Sequence, residues 1–322
     1  MKLSIAVSLV LAALLGAGCR GRAPLAFVTN ERGGTVTVID TSRDRVVAEI
    51  PVGSRPRGVE ASLDGSRVYV AVSHRTDPAG NLIAVIDPAA RRVIARYPAG
   101  SDPERVAVTP DGKTLWISNE DIGKASALDA STGRLLASLP VGVEPEGVTA
   151  SPDGKWVYVT NEVSNRISVI DASRRAVVAD IPMDARPRAA AFSPDGRLAY
   201  VTAEIGGSLS VVDTAAKRVV RSLDLRSYGK PVGVAVSGDG SRAYVATSHG
   251  NSVVVVDTAS NLVLSRVIVG GRPWGIALTP DGRKLYTANG KSDDVSVVET
   301  RENRVIATIP AGKGPWGVAV AR

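Results

Sequence analysis

The sequence predicts an all-β fold, a seven-bladed β-propeller with four antiparallel strands per blade, from two repeating markers and one alternation pattern. The first marker is the acidic residue ending each VSVID-like segment, at Asp40, Asp87, Asp129, Asp171, Asp213, Asp257 and Glu299. The second is the proline of an RPRG-like turn, at Pro56, Pro103, Pro145, Pro187, Pro231, Pro273 and Pro315, and both series share the spacings 47, 42, 42, 42, 44 and 42. A fixed period of this size is the signature of propeller blades. Between the markers, Val and Ile alternate with polar residues in short runs, which is strand patterning.

The chain opens with MKLSIAVSLVLAALLGAGC. Lys2 precedes an apolar run from Leu3 to Leu15 and then small residues, so residues 1–18 read as an export signal rather than a membrane span. Cys19 is the sole cysteine, which leaves no disulfide within a monomer. A lone Cys at this place resembles a lipobox, although Gly16 stands where such boxes usually carry Leu. The expectation is a lipoprotein acylated on Cys19 and held in the periplasm of a Gram-negative bacterium. Cleavage and release is the alternative. Residues 19–24 form a short linker, and residues 25–322 one domain.

Within a period, GVTA (147–150) leads through Ser151-Pro-Asp-Gly154 to WVYVTN (156–161), ISVID (167–171) and AVVADIP (176–182). Pro fixes φ in such turns and Gly permits positive φ. The domain begins at LAFVTN (25–30), the second strand of a unit, and ends at WGVAV (316–320), the first. Strand 316–320 is therefore expected to pair with strand 25–30 and close the ring, leaving no open edge between the first and last blades.

The formal net charge is +7, with acidic and basic residues interspersed, which favours a solvated surface over a polyanion-binding one. The loops before the innermost strand and those between the second and third strands share one face, around the central channel. The residue after each marker proline is Arg57, Glu104, Glu146, Arg188, Val232, Trp274 and Trp316 in turn; the residue before it is Arg55, Asp102, Glu144, Arg186, Lys230, Arg272 and Gly314. Two adjacent blades present acids, their neighbours present bases, and two present Trp. The expected site is a polarised channel mouth, where Trp274 and Trp316 offer an apolar or cation-binding surface and the carboxylates attract an amine or metal ion. Set against this, Glu104 and Glu146 can simply pair with Arg57 and Arg188 while the tryptophans cap the core. Asn119, Glu120, Asn161 and Glu162, from the second-to-third strand loops, complete the candidate set. His74 and His249 lie three blades apart and are not expected to share a metal. No haem, paired-histidine or phosphate-loop motif is present, so no catalytic residue, metal or cofactor is assigned. Trp116 and Trp156, on second strands, read as packing residues. Arg43, Arg45, Arg91, Arg92, Arg174 and Arg175 lie in turns on the opposite face.

WVYVTN and LAFVTN, followed by VSVID-like and VVADIP-like strands, resemble the YVTN family of bacterial β-propellers over residues 25–322. SDPERVAVTPDGKTLWISNED, AEIGGSLSVVD and PWGIALTPDGRKLYTANGKSDDVSVVE resemble more narrowly the PQQ-dependent catabolism-associated β-propeller group. This chain departs from that group in a longer loop, SHRTDPAGNL (73–82), and a shorter connection, LRSYGKPVG (225–233). The complete repeats, the export signal and the lack of a catalytic constellation lead to the expectation of a monomeric, non-catalytic binding or scaffold protein of the envelope that meets a protein partner or small molecule at the channel mouth; the resemblance implies a role accessory to quinoprotein alcohol oxidation or linked transport. It does not imply that this chain holds the quinone. A lactonase-like hydrolase using the mouth Glu and Arg residues is the alternative, and a nucleic-acid-binding propeller the third reading.

Overall fold

The structure is a computed structural model describing residues 23–322, so the expected signal segment and Cys19 lie outside the described residues. Seven four-stranded antiparallel sheets surround one axis. Blade 1 takes Leu25–Asn30, Thr35–Asp40 and Arg45–Pro51 from the start of the domain and its inner strand, Pro315–Ala321, from the end. Blades 2 to 7 begin at the inner strands Pro56–Ala61, Pro103–Val108, Pro145–Ala150, Pro187–Phe192, Pro231–Val236 and Pro273–Leu278.

Both sequence markers have a local cause. The acid closing each third strand caps the turn that follows: the Asp171 Oδ1 accepts from the backbone N–H of Ser173 (3.0 Å) and of Arg174 (2.9 Å). These bonds favour the ionised form and hold the Asp171 carboxyl below its ordinary range. Ahead of each marker proline the backbone enters the left-handed region in six of the seven blades, at Arg55, Asp102, Glu144, Arg186, Arg272 and Gly314. The chain reverses there, and the proline, with no N–H to satisfy, starts the inner strand. The Pro-Asp-Gly turns are pinned by side chains. Ser151 Oγ donates to Asp153 Oδ1 (2.6 Å) and accepts from the Trp156 N–H (2.9 Å).

Burial follows radial position. Second and third strands are covered on both faces by neighbouring blades, as in Trp156–Asn161, whereas the outermost strands alternate covered and exposed residues, as in Arg218–Asp224. One aromatic per blade, Phe27, Tyr69, Trp116, Tyr158, Tyr200, Tyr244 and Tyr286, fills the same second-strand position, buried between sheets. Seven apolar clusters of this kind, one per blade junction, make up the core. Trp116 is thus a packing residue, as expected, and half-buried Trp156 lies under the Lys217 ammonium (4.5 Å). A register shift between third and fourth strands recurs in every blade and bends the outer edge, which discourages edge-to-edge pairing.

The ring closes as expected, over a slightly longer strand. Leu25 pairs with Ala321, Phe27 with Ala319 and Val28 with Val318. The pairing continues into the loop, where the Glu31 and Arg32 amides donate to the carbonyls of Gly314 (2.8 Å) and Lys313 (3.1 Å). Ala23 and Arg322 line one pocket with Gly65 and Pro88, so both ends of the domain lie on the face of the Pro-Asp-Gly turns, opposite the channel mouth. A chain ending at Lys313 would leave the Leu25–Asn30 edge bare and uncover Phe27 and Ala26. Its Tm should fall on the order of 10 °C or more, while deletion of Arg322 alone should shift it by no more than about 2 °C. A Tm unchanged by loss of residues 314–322 in a calorimetric scan would refute the closure argument.

Candidate functional site: the channel mouth

A second register shift recurs in every blade, just after the marker proline where the inner strand meets the second. Such a bulge re-aims side chains. It brings Arg57, Glu104, Glu146, Arg188, Trp274 and Trp316 to one end of the channel, where Trp316 is buried rather than open as the sequence suggested. Serine and threonine on the second strands tie these positions together. Thr160 Oγ1 accepts from the Gly147 N–H (2.9 Å) and donates to the Arg188 carbonyl of the next blade (2.9 Å). Thr29 does the same between Gly317 (2.8 Å) and Arg57 (2.6 Å), and Ser118 between Arg105 (3.1 Å) and Glu146 (2.7 Å).

The charged residues form two ion-paired clusters. In the first, Arg57 binds the Glu104 carboxylate and lies 3.5 Å from Glu31 and 3.9 Å from Glu120, while Arg55 lies 3.4 Å from Asp102. In the second, Arg188 binds Glu162, reaches Glu204 at 2.8 Å and approaches Glu146 at 3.4 Å; Arg186 meets Glu162 at 2.6 Å. Glu120 and Glu162 from the second-to-third strand loops are thereby part of the mouth. Asn119 and Asn161 are buried beneath it, and their amides are committed internally. Asn119 donates to the Ala99 carbonyl (2.7 Å), and Asn161 accepts from the Gly142 N–H (2.9 Å). His74 and His249 sit in separate loops of blades 2 and 6.

The two indoles stack with centroids 6.3 Å apart and planes 19° from parallel. Their faces already carry the protein's own cations: Arg57 (5.0 Å) and Arg105 (4.7 Å) over Trp316, Arg188 (5.1 Å) and Arg272 (5.0 Å) over Trp274. This bears on the expectation of an amine or metal ligand. The carboxylates meant to attract it face arginines, and the indole faces meant to cradle it are covered by guanidinium groups. Asp102, Glu104 and Glu120 do place carboxylate oxygens within 4.8 Å of one another, with Arg55 and Arg57 beside them supplying the counter-charge.

Arg105 is the mouth residue that the sequence reading missed. It stands two positions after the marker proline, where five blades carry Gly58, Gly147, Gly233, Gly275 and Gly317 and blade 5 carries Ala189. Glycine is needed there because inner strands nearly touch: a Cβ on Gly275 would lie 2.6 Å from the Trp316 carbonyl oxygen, and one on Gly317 2.6 Å from that of Arg57. The departure of blade 3 from this glycine pattern was the available signal. Glu60, deeper in the channel, was missed as well. With Ala277 and Ala319, at the equivalent place in blades 7 and 1, it lines a cavity of about 310 Å³ at the far end.

The environments push neighbouring carboxyls apart. Burial, reinforced by the nearby Glu146 charge, raises Glu104 well above the usual range despite Arg57. Burial acts on Glu146 too, but Arg188, Arg57 and Arg105 together outweigh it and hold that carboxyl below the usual range. Glu60 is exposed to the channel but crowded by the surrounding inner strands, and the resulting loss of hydration pushes it to about 7, with Arg105 opposing. The unfolded chain releases this proton near 4.5 and the folded chain near 7, so Glu60 subtracts stability as pH rises through that window. Glu60→Gln should flatten the decline in Tm between those pH values relative to wild type. Parallel Tm–pH curves for the two proteins would show that Glu60 ionises normally.

The lactonase, seven-bladed β-propeller family model matches residues 174–306, from the last strand of blade 4 to that of blade 7. No curated protein matches the chain. Among solved structures, Kuenenia stuttgartiensis hydrazine synthase is 24% identical with a TM-score of 0.74, over 83% of this chain and 89% of that one. A functionally unknown protein from Desulfotomaculum acetoxidans is 17% identical with a TM-score of 0.81, over 93% and 99%. The dihydro-heme d1 dehydrogenase NirN, solved in complex with DHE, is 19% identical with a TM-score of 0.65, over 93% and 66%. At these identities the likeness establishes a shared β-propeller fold and leaves function to the site.

Proposed function

We propose that the protein is an exported, non-catalytic binding propeller of the cell envelope that holds a small molecule at the channel mouth, beside the part of Trp274 that remains open to solvent. One observation carries this reading. The carboxyls best placed for acid–base chemistry, Glu104 and Glu146, are 0% and 2% exposed and face arginines, whereas the Trp274 indole is half-exposed and Arg105 has no acidic partner among the described residues. A general acid or base must come within hydrogen-bond reach of its substrate, and a ligand needs only open surface. The resemblance of the repeats to the PQQ-dependent catabolism-associated group supports a role beside quinoprotein alcohol oxidation.

A lactonase-like hydrolase is the second reading. It is favoured by the family-model match over residues 174–306 and by the opposed shifts of Glu104 and Glu146, since neighbouring carboxyls pushed in opposite directions are how acid and base roles are divided. A thermal-shift screen of small amines, carboxylates, neutral aromatics and lactones, with lactone turnover followed in parallel, separates the two. Binding predicts stabilising ligands whose effect Trp274→Ala abolishes and no turnover. Turnover lost in Glu146→Gln establishes the hydrolase instead.

The export part of the proposal rests on the apolar segment ahead of Cys19. The wild-type protein is expected in the membrane fraction of its cell and Cys19→Ser in the soluble periplasm. Retention of both in the cytoplasm refutes export.

A further inference from the structure

Of the six arginines around the mouth, Arg55, Arg57, Arg186 and Arg188 each have a carboxylate within ion-pair distance. Arg105 has none among the described residues, nor does its guanidinium donate to any protein acceptor there, and its Nε is enclosed without a partner. An ionised group in this state costs desolvation energy that no hydrogen bond or ion pair within the protein returns. The lack is not a matter of slack geometry. The Arg105 backbone is fixed through Ser118 to the next blade, and its guanidinium rests on the Trp316 ring at 4.7 Å, leaving donors along its edge free toward the channel. Burial depresses the basicity of Arg105, opposed first by Glu146, and those Glu146 oxygens are already shared with Arg188. Glu104, also nearby, is held above its ordinary range and paired with Arg57, and Glu60, deeper in the channel, is pushed up by burial against the pull of Arg105.

We propose that the channel mouth recognises an organic carboxylate, which takes the free edge of the Arg105 guanidinium while the body of the ligand lies along the part of the Trp274 indole left open to solvent, Trp316 being buried behind it. This rests on the binding reading above and gives its ligand a chemical class. The sign is opposite to that expected from the sequence, where the acids of the mouth pointed to an amine or metal ion. A guanidinium fork matches a carboxylate with two parallel hydrogen bonds. An organic ligand is favoured over a bare inorganic anion because half-buried Trp274 leaves part of its indole open as apolar surface that such an anion does not use. Arg272, over the Trp274 ring and also without an acidic partner among the described residues, adds positive potential at the rim.

The test is titration of tryptophan fluorescence at neutral pH with benzoate, its neutral isostere benzamide, and inorganic phosphate. Benzoate should bind at least about ten-fold more tightly than benzamide, and Arg105→Gln should lower benzoate affinity at least about ten-fold while leaving benzamide unchanged. Arg105→Lys, which keeps the charge and loses the fork, should fall between, with far-UV circular dichroism confirming that both variants fold. Equal affinities for benzoate and benzamide, both lost in Trp274→Ala, would leave the binding reading standing and overturn the carboxylate. So would benzoate affinity unchanged in Arg105→Gln, or displacement of benzoate by phosphate at comparable concentration. A flat response to all three probes overturns the carboxylate too; if the wider screen is also flat, the binding reading falls with it.

Discussion

The inner strands pack so tightly around the axis that a methyl group at Gly275 or Gly317 would lie 2.6 Å from the next blade's carbonyl oxygen. That crowding constrains most of what surrounds it. Glycine must occupy the second position after the marker proline in most blades, and a bulge must absorb the strand mismatch. The hydroxyl relays through Thr29, Ser118, Thr160 and Thr202 bridge neighbouring inner strands where direct backbone pairing stops. Side chains one position after the proline are then delivered to the mouth from a framework with little freedom to adjust. The buried aromatic of each second strand fills the wedge that opens farther from the axis.

The ion-paired collar follows from the same framework. Charges this enclosed lose much of their hydration, and their mutual attraction compensates only when geometry and additional hydrogen bonds are good. Arg188, with three carboxylates around it, and Arg57, with three more, meet that condition, Arg188 by drawing acids from its own blade and the one before it, Arg57 from the blades on either side. Burial alone would weaken the hold of Arg57 on its proton, but Glu104, Glu146, Glu31 and Glu120 reverse the balance and fix it as a cation. A collar built this way resists rearrangement, because removing one member strands a charge among the rest.

The fold was legible in the sequence because both markers are turn chemistry, and turn chemistry is local. Asp171 capping its own turn and Pro145 starting its own strand require nothing from distant residues. The closure was legible because the two ends of the domain are complementary parts of one repeat. The mouth was legible in composition and not in pairing. Residues at the first position after the proline could be read off in order, yet whether Glu146 faced Arg188 or open water depends on distances between blades that no repeat encodes. Arg105 escaped because simple alternation puts adjacent residues on opposite faces of a strand, and the bulge after Pro103 interrupts that alternation. Asn119 and Asn161 look like loop residues by sequence, but each ends its strand below the surface, where its amide substitutes for missing backbone partners.

The shared blade gives the molecule a direction. Leu25 and Ala321 pair at the face of the Pro-Asp-Gly turns, while Asn30 and Pro315, at the other end of the same two strands, border the mouth. The domain therefore starts, at Ala23, on the side away from Trp316. The strand pair acts as a mast, with the first residues of the domain at its foot and the collar at its head.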